Sequence, residues 1–317
     1  MDLQIPKREQ KSYKGTFGKV LNIAGSRNYS GAAYFSSISA LKSGCGYVTL
    51  ASVPSVLTRI ASMSPDIVCI PIGEIKSQLS KYDVYSLGSG LSQDAGAILL
   101  FKAILSDIKD TDKTVIIDAE GLNIISKFPK IKLPKNVIFT PHVGEAARLT
   151  GQKTEDILRN PRFTAKKITE MFKCVTVLKS HKTVVCSKEG KIYTNNSGNS
   201  ALAKAGTGDV LCGMIAGLSA QKMSPFEAAC LAVYLHGFAG EIASQDLTEY
   251  SVLASDLVNY IPKAIKNYLE QDINAYLETD DESEDEKSYD DVGENSIIID
   301  NENDYDDEHY VEDIDLE

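Results

Sequence analysis

Four consecutive residues in the second half of the chain combine an anion-binding loop with a carboxylate. Gly206, Thr207 and Gly208 leave backbone N–H groups open to an anion, and Asp209 follows directly. The small-residue apolar run that continues to Leu218 predicts a helix whose positive amino-terminal end faces the same point. Phosphoryl transfer to an alcohol requires such an anion cradle, a helix dipole and a proton acceptor. The alternative is a capped helix after a glycine turn, with no catalytic role.

Further polar residues stand directly after short apolar runs. They are Gly25, Gly90, Asp118, His142, Glu145 and Lys179. Because ligands of an open α/β sheet bind outside the carboxyl ends of its strands, we expect these residues to form a composite site with two halves. Each has a structural alternative: Asp118 and Glu145 could serve only the start of the helix that follows, His142 could be a loop histidine, and Lys179 could be solvated. The two glycines could belong to plain turns.

Strands that alternate with helices are expected to position these residues. Strands are predicted at Lys19–Gly25, Tyr47–Val53, Val84–Gly88, Thr114–Asp118 and Val137–Thr140, and helices at Gly31–Ser43, Asp94–Ser106, Pro225–Ala243 and Leu253–Leu269. The alternation predicts an α/β fold with a mostly parallel sheet. Three closely spaced runs, Val175–Leu178, Thr183–Cys186 and Lys191–Thr194, predict an antiparallel extension of that sheet.

Charge divides the chain into two parts. The formal net charge is −11, yet residues 278–317 alone carry 20 acidic residues and one basic residue. The remaining body holds 32 basic and 24 acidic residues, which suits an anionic ligand such as a nucleotide, whereas the tail would repel nucleic acid. We predict one domain over 1–277 and a disordered acidic tail over 278–317, because the tail is too polar to offset its ordering entropy.

Several protein classes are excluded by missing patterns. The six cysteines form no C-x-x-C pair, which indicates buried free thiols in a reducing compartment. The first residues, MDLQIPKREQKSYKG, lack the apolar core of a signal peptide, and no apolar run is long enough to span a membrane. We therefore expect a cytoplasmic protein without a membrane or nucleic-acid partner. The sequence has no Walker A string, which excludes a P-loop enzyme, and no strict G-x-G-x-x-G, which argues against a Rossmann dehydrogenase. It also has no G-x-S-x-G string for a Ser-His-Asp hydrolase and no His/Cys pair with metal-ligand spacing.

Six segments carry a family resemblance. They are KGTFGKVLNIAGS (Lys14–Ser26), GAAYFSSISALKSG (Gly31–Gly44), GSGL (Gly88–Leu91), TPHVGEAARLTG (Thr140–Gly151), VLKSHKTVV (Val177–Val185) and NSALAKAGTGDVLCGMIAGL (Asn199–Leu218). Together they resemble the ADP/ATP-dependent NAD(P)H-hydrate dehydratases, the carboxy-terminal domain type of the YjeF proteins in the ribokinase-like superfamily. The resemblance covers residues 10–270, and TPHxGE followed by GTGDVLxGxIxGL is its most specific part. It implies a ribokinase-like three-layer sandwich.

The resemblance also implies an activity. Members of this family repair NADH and NADPH that are hydrated at C6 of the nicotinamide ring. They phosphorylate the C6 hydroxyl from ADP or ATP with Mg²⁺, and phosphate then leaves, which restores the ring double bond. Many relatives carry an additional amino-terminal epimerase domain for which this sequence has no room, so we expect action on the S epimer alone. The family also implies a homo-oligomer.

Residue roles follow from the same resemblance. Asp209 would be the catalytic base, and Gly206, Thr207 and Gly208 would form the anion hole. The nucleotide would contact Gly208 together with Lys179, Ser180, His181, Lys182 and Thr183. The hydrated dinucleotide would contact Ala32, Gly90, His142 and Asp209. No residue is assigned to a metal ion.

Two residues depart from the family pattern. Tyr13 stands where histidine is usual before KGTFG. Ser180 replaces a glycine in the donor loop, the segment 179–183 that would contact the nucleotide. If that position requires a positive φ, serine is mildly strained there. The main alternative function is another ribokinase-like kinase, acting on a hydroxymethyl-pyrimidine, a thiazole alcohol or a sugar. A non-catalytic nucleotide-binding protein that works through its acidic tail is a third possibility.

Overall fold

A nine-stranded sheet forms the centre of the computed structural model, which describes residues 3–282. The strands are β1 (Lys19–Ile23), β2 (Tyr47–Ser52), β3 (Val68–Pro71), β4 (Val84–Leu87), β5 (Thr114–Ile117), β6 (Asn136–Phe139), β7 (Val175–Leu178), β8 (Val184–Cys186) and β9 (Ile192–Thr194). Their order across the sheet is β3-β2-β1-β4-β5-β6-β7-β8-β9. Neighbours from β3 to β7 pair in parallel, and β8 and β9 are antiparallel additions. The predicted mostly parallel sheet with an antiparallel extension is confirmed.

Helices cover both faces of the sheet. They are α1 (Ser30–Lys42), α2 (Pro54–Met63), α3 (Ala95–Ile108), α4 (Glu120–Lys127), α5 (Val143–Thr150), α6 (Thr154–Arg159), α7 (Pro161–Phe172), α8 (Thr207–Ala220), α9 (Pro225–Ser251) and α10 (Ala254–Glu282). Buried residues of α1, α2, α8, α9 and α10 form one hydrophobic core, and those of α3 to α7 form a second. No helix within the described range is both long and apolar enough to cross a membrane.

Strand β5 shows how one sheet serves both cores. Its Ile116 packs into the core under α8 and α9, while Val115 and Ile117 pack into the core under α3 and α4. Side chains alternate between the two faces of a strand, so a central strand with helices on both sides is apolar at most positions. The result is the three-layer α/β sandwich that the sequence predicts.

The order of strands reverses between β1 and β4. Chain order runs outward through β2 and β3 on one side of β1, and through β4 to β7 on the other. The loops that follow β1 and β4 therefore separate and leave a crevice at their carboxyl ends. The backbone N–H of Gly25 donates to the carbonyl of Ser89 at 2.8 Å, which joins the two loops at the floor of this crevice.

Glycines let α8 pack unusually close to α1. A Cβ atom at Gly213 would overlap the carbonyl of Ser36, and one at Gly217 would overlap the carbonyl of Ala40. The two glycines are four residues apart, so they lie on the same face of α8. This contact fixes how far α8 lies from α1, and with it the position of the glycine-rich loop at the amino-terminal end of α8.

Some elements differ from the sequence prediction. The edge strand β3 was not predicted, because its residues are partly exposed and Pro71 ends it. Helix α9 continues to Ser251 through the non-helical residue Thr248, and α10 continues to Glu282. Contacts divide the chain into a unit of residues 1–273, to which the site belongs, and a second unit of 274–317. The predicted disordered tail lies outside the described residues from position 283 onward, and the boundary after 277 stays a prediction.

We expect Gly217→Ala to lower the free energy of unfolding by about 1–2 kcal/mol. Alanine stabilises a helix relative to glycine by about 1 kcal/mol, whereas overpacking a core costs about 1–3 kcal/mol. The new Cβ would overlap the backbone carbonyl of Ala40, which cannot rotate away as a side chain could, so the cost of overpacking should dominate. Urea denaturation measures the change. Gly73→Ala is the matched control, since no atom lies within 4 Å of a Cβ placed there. Equal stability of the two variants would contradict close α1–α8 packing.

Candidate active site

A buried ion pair joins the ends of β5 and β7. The Asp118 side chain, 2% exposed, accepts a hydrogen bond from Lys179 Nζ at 2.9 Å. It also accepts one from Thr140 Oγ1 at 2.7 Å. Helix α4 begins after Ala119 without a capping side chain, so Asp118 does not cap it. The capping alternative for Asp118 is therefore wrong, and its carboxylate instead holds the lysine in place.

His142 and Glu145 meet this pair from the end of β6. The backbone N–H of Lys179 donates to the carbonyl of Pro141 at 2.8 Å, and a parallel bridge pairs His142 with Lys179. His142 caps α5, because its ring Nδ1 accepts a hydrogen bond from the backbone N–H of Gly144 at 2.9 Å. The backbone N–H of His142 in turn donates to Glu145 Oε2 at 2.8 Å. The Nδ1 atom is therefore unprotonated, and Nε2 of the half-exposed ring lies 3.5 Å from Glu145 Oε1.

The carboxyl groups of Asp118, Glu145 and Asp209 all interact with the Lys179 ammonium group at this edge of the sheet. Burial first, and then the charge of Asp118, raise the pKa of Asp209 to about 7. Burial is also the main reason that the pKa of Glu145 rises to about 7. Burial alone would lower the pKa of Lys179, but the charges of Asp118 and Glu145 outweigh it and raise that pKa above its ordinary value. Lys179 therefore stays charged, while Asp209 exchanges a proton near neutral pH.

The amino-terminal end of α8 is an open anion cradle. Gly206 precedes α8 with φ 94°, and within the described chain no side chain caps this helix start. A Cβ at Gly206 would collide with Phe35 and Ala254, so a larger residue does not fit. A Cβ at Gly208 would lie 3.5 Å from Lys179 Nζ. The start of α8, where the Thr207 N–H also donates to the carbonyl of Lys204 at 3.4 Å, and the lysine ammonium therefore border the same space.

A cavity of about 980 Å³ lies in the crevice between the ends of β1 and β4. Ala32, Gly90 and Asp209 all line it, so three of the four predicted substrate contacts are brought together. Gly90 has φ 64°, and a Cβ there would lie 2.7 Å from Ala32 Cβ, which makes this wall a place for small residues only. Among the described residues that line the cavity, His142 does not appear; it lies beside Lys179 instead.

The predicted donor loop follows β7 directly. Ser180 Oγ donates to the carbonyl of Lys182 at 2.9 Å, and Thr183 Oγ1 donates to the carbonyl of Ser180 at 3.3 Å. His181 and Lys182 are exposed at its tip. Ser180 is not one of the four described non-glycine residues with positive φ, so the condition under which serine would be strained is not met there.

The second departure from the family pattern lies far from this loop. Tyr13 precedes β1 and is 73% exposed. It therefore belongs to the amino-terminal edge of the sheet, whereas the site lies at the carboxyl edge. Its replacement of histidine leaves the described site unchanged.

Sequence reasoning missed His236. This residue of α9 is 8% exposed, and its Nε2 lies 2.9 Å from the carbonyl oxygen of Thr207. A single histidine inside an apolar helix was the one signal in the sequence. Thr140, which binds Asp118, was likewise noted only as part of a loop.

Metal binding by protein side chains alone finds no support here. Within the part of the chain that the structure describes, no group of three or more His, Cys, Asp or Glu residues could hold a metal ion. Asp118 is already engaged by Lys179 and Thr140.

A doubly wound parallel sheet with an uncapped glycine-rich helix start and a facing carboxylate defines a ribokinase-like α/β protein. The family model for NAD(P)H-hydrate dehydratase matches residues 20–263, and this chain belongs to that family. The solved structure of an ADP/ATP-dependent NAD(P)H-hydrate dehydratase from Bacillus subtilis, co-crystallised with ATP/Mg²⁺, superposes with a TM-score of 0.75 at 32% identity. That comparison covers 83% of this chain and 94% of the other. The predicted family and fold are confirmed.

Two curated relatives differ in length from each other. An ADP-dependent (S)-NAD(P)H-hydrate dehydratase from Listeria monocytogenes is 35% identical over 270 residues, covering 83% of this chain and 92% of the relative. A bifunctional NAD(P)H-hydrate repair enzyme from Moorella thermoacetica is 33% identical over 278 residues, covering 83% of this chain but 52% of the relative. The chain thus spans about half the length of the bifunctional relative.

Breaking the buried ion pair should destabilise the protein. We expect Lys179→Met to lower the free energy of unfolding by about 3 kcal/mol, because it leaves the Asp118 carboxylate buried without a cation. Lys179→Met combined with Asp118→Asn should recover more than half of that loss. Lys76→Met is the control: its 3.7 Å pair with Asp107 is exposed, and its loss should cost about 1 kcal/mol or less. A double variant no more stable than Lys179→Met would disprove the pairing.

The raised pKa of Asp209 predicts a pH-dependent stability. The Asp209 carboxyl group ionises near pH 4 in the unfolded chain but only near pH 7 in the folded protein. Between these two pH values the unfolded state is favoured by ionisation, so the contribution of Asp209 lowers the free energy of unfolding as the pH rises from about 4 to about 7. Asp209→Asn removes that penalty. Its advantage in the free energy of unfolding should be small at pH 4 and reach a few kcal/mol at pH 8. Urea denaturation at both pH values tests this; an advantage independent of pH would contradict the raised pKa.

Proposed function

We propose that this chain catalyses the ADP- or ATP-dependent dehydration of the S epimer of hydrated NADH and NADPH. One observation carries the proposal: Asp209 lines the same cavity as Ala32 and Gly90, while the adjacent Gly208 faces the Lys179 ammonium. A hydroxyl bound in the cavity and a phosphoryl group bound at the helix start would meet at Asp209. The Listeria and Bacillus relatives, with their named activity, support this assignment over the other ribokinase-like kinases.

In this proposal Asp209 takes the proton of the C6 hydroxyl. A general base works best when its pKa lies near the working pH, and the pKa of Asp209 is raised to about 7. The phosphorylated oxygen then leaves C6 as phosphate while the lone pair of the ring nitrogen forms a C=N bond to C6, and loss of a proton from C5 to water completes the C5=C6 double bond. Asp209 begins this sequence by making the hydroxyl a nucleophile, and the leaving group is then far better than hydroxide.

The anion cradle stabilises the group in transfer. The N–H groups of Gly206, Thr207 and Gly208 at the start of α8 offer hydrogen bonds and the positive end of the helix dipole. Lys179 adds a charge: its ammonium carries three N–H donors, of which Asp118 takes one, so the others are left for phosphoryl oxygens. Ser180, His181, Lys182 and Thr183 continue from Lys179 and are proposed to contact the nucleotide. His142 is proposed to contact the hydrated dinucleotide beside Lys179.

The nucleotide supplies the phosphoryl group, and Mg²⁺ compensates the charge of its phosphates. The Bacillus relative was co-crystallised with ATP/Mg²⁺, which supports this requirement. Because the described residues hold no acidic cluster for a metal ion, we propose that Mg²⁺ is bound through phosphate oxygens and water, as this ion prefers.

We further propose that the enzyme works in the cytoplasm as a homo-oligomer, without a nucleic-acid or membrane partner. The basic body, the scattered cysteines and the family support these points. The division into a domain of 1–277 and an acidic tail of 278–317 is proposed on charge and composition alone.

The decisive experiment offers the protein chemically hydrated NADH, with its S and R epimers separated. Incubation with Mg²⁺ and either ADP or ATP should regenerate NADH from the S epimer, followed by its absorbance. A thiazole alcohol and a hydroxymethyl-pyrimidine are offered in parallel with ATP. Phosphorylation of either alcohol without any NADH from the hydrate would overturn the proposal in favour of a kinase.

Replacement of the base should nearly abolish turnover. We expect Asp209→Asn to lower kcat by about 10²–10⁴, because asparagine keeps the size of aspartate but cannot accept a proton. In the unmodified enzyme kcat/KM should rise with pH through about 7 as Asp209 ionises, and this rise should be absent from the variant. Steady-state assays across that range measure both effects.

Asp256→Asn provides a matched control. Asp256 also stands in the first turn of a helix, α10, where it accepts the N–H of Leu253 at 2.9 Å. Asparagine caps helices about as well as aspartate, so this variant should keep full activity. If Asp209→Asn kept more than about a tenth of the original kcat, Asp209 would be a helix-start residue and not the base.

A further inference from the structure

We propose that His236 is a positioning residue that aims the N–H of Gly208 at the phosphoryl group in transfer. It lies on α9, behind the anion cradle and outside the substrate cavity, and would act only through the peptide between Thr207 and Gly208. This inference rests on the proposed function, because it assumes that an anion is bound at the start of α8.

The hydrogen bond of His236 has a defined direction. Its Nε2 lies 2.9 Å from the carbonyl oxygen of Thr207, and the side chain is almost completely buried. A carbonyl oxygen can only accept, so Nε2 must carry the hydrogen. Burial lowers the pKa of His236 to about 4, so the ring is neutral at pH 7 and Nδ1 is bare. The geometry thus fixes the Nε2–H tautomer.

The carbonyl that His236 holds belongs to the same peptide unit as the Gly208 N–H. That unit is planar and trans, so its C=O and N–H point in opposite directions. Holding the carbonyl from the α9 side therefore directs the N–H away from α9. A Cβ at Gly208 would lie 3.5 Å from Lys179 Nζ, so this part of the cradle borders the ammonium group.

The start of α8 is held by two side chains in addition to the helix backbone. Gly206 and Gly208 have no side chains with which to fix their own peptides, and Gly206 has φ 94°. Thr207 Oγ1 donates to the carbonyls of Leu202 and Lys204, at 2.8 Å each, and anchors the loop on one side. His236 anchors the peptide that follows. Together the two residues immobilise the segment that must not rotate when charge develops on the phosphoryl group.

The hydrogen bond also strengthens the donor. An amide whose carbonyl accepts a hydrogen bond is polarised, and its N–H becomes a better donor. A stronger and correctly aimed donor matters most when negative charge is greatest, in the transition state, and less for the bound ground state. Loss of His236 should therefore lower kcat more than it raises KM.

A leucine and a glutamine variant separate donation from volume. His236→Leu keeps an apolar side chain but removes the donor, and kcat should fall about tenfold to 100-fold, less than for loss of a whole anion-hole donor. KM for hydrated NADH should change by less than about threefold, because the residues that line the substrate cavity are unchanged in this variant. His236→Gln retains an N–H and should restore kcat to within about threefold of the original. Tyr234→Phe, which removes a hydroxyl from the same helix, is the control and should stay fully active.

An NMR measurement tests the same point without turnover. The sequence contains two Thr–Gly peptides, Thr150–Gly151 and Thr207–Gly208. When threonine is labelled with carbonyl ¹³C and glycine with ¹⁵N, these are the two peptides that join both labels. A carbonyl-selected spectrum therefore shows one amide signal for each of the two peptides. In His236→Leu the Gly208 signal should move, and the Gly151 signal should stay as an internal reference. In the unmodified protein the imidazole ¹⁵N signals of His236 should show hydrogen on Nε2.

Either readout can overturn the proposal. Hydrogen on Nδ1 of His236, an unmoved Gly208 signal, or a glutamine variant no better than the leucine variant would each reject it. If His236→Leu does not fold, the glutamine variant and the tautomer of the unmodified protein still decide. Because the NMR signals need no substrate, a failure of the hydrated dinucleotide as substrate is distinguished from a failure of His236 as support.

Discussion

The site depends on one ammonium group that three carboxyl groups surround. Lys179 is bound directly by Asp118, and Glu145 and Asp209 lie close enough for each charge to act on the others. Burial is the main reason that the pKa values of Glu145 and Asp209 both rise to about 7, and the negative charge of Asp118 raises both further. The raised pKa of Asp209 is thus a consequence of its surroundings, and it gives a carboxylate the basicity that proton abstraction near neutral pH requires.

The sheet makes this crowding unavoidable. Asp118, His142 and Lys179 each follow a parallel strand, and β5, β6 and β7 are adjacent, so their carboxyl ends present all three residues at one edge. The fourth component, Asp209, comes from a helix and not from a strand. Its position depends on the glycine contacts between α8 and α1, which bring the helix start over the ends of the strands. Packing in the core and charge in the site are therefore coupled.

Sequence reasoning succeeded where a local pattern determines the structure. Buried strands such as β5 carry a continuous apolar run, Val115–Ile117, and the glycine-rich start of α8 is visible in four letters. It failed where the partner is distant in the chain. Asp118 meets Lys179 across 61 positions, and nothing next to Asp118 separates that role from helix capping. The family pattern could not decide whether Ser180 needs a positive φ, and the structure shows that Ser180 does not have one. His236 was missed because its hydrogen bond to the carbonyl of Thr207 joins two helices that are separate in the sequence.

The balance of charge also explains why an anion cradle and a base can occupy one site. Phosphate oxygens bring further negative charge to a place that already holds three carboxyl groups, and each added negative charge raises the pKa of a neighbouring carboxyl group. The Lys179 ammonium and the N–H groups at the start of α8 oppose this effect from fixed positions. Donors that are already aimed need no reorganisation when charge moves from the acceptor hydroxyl to the phosphoryl group. In the proposed reaction, the fixed geometry of the start of α8 therefore contributes alongside the Asp209 carboxylate.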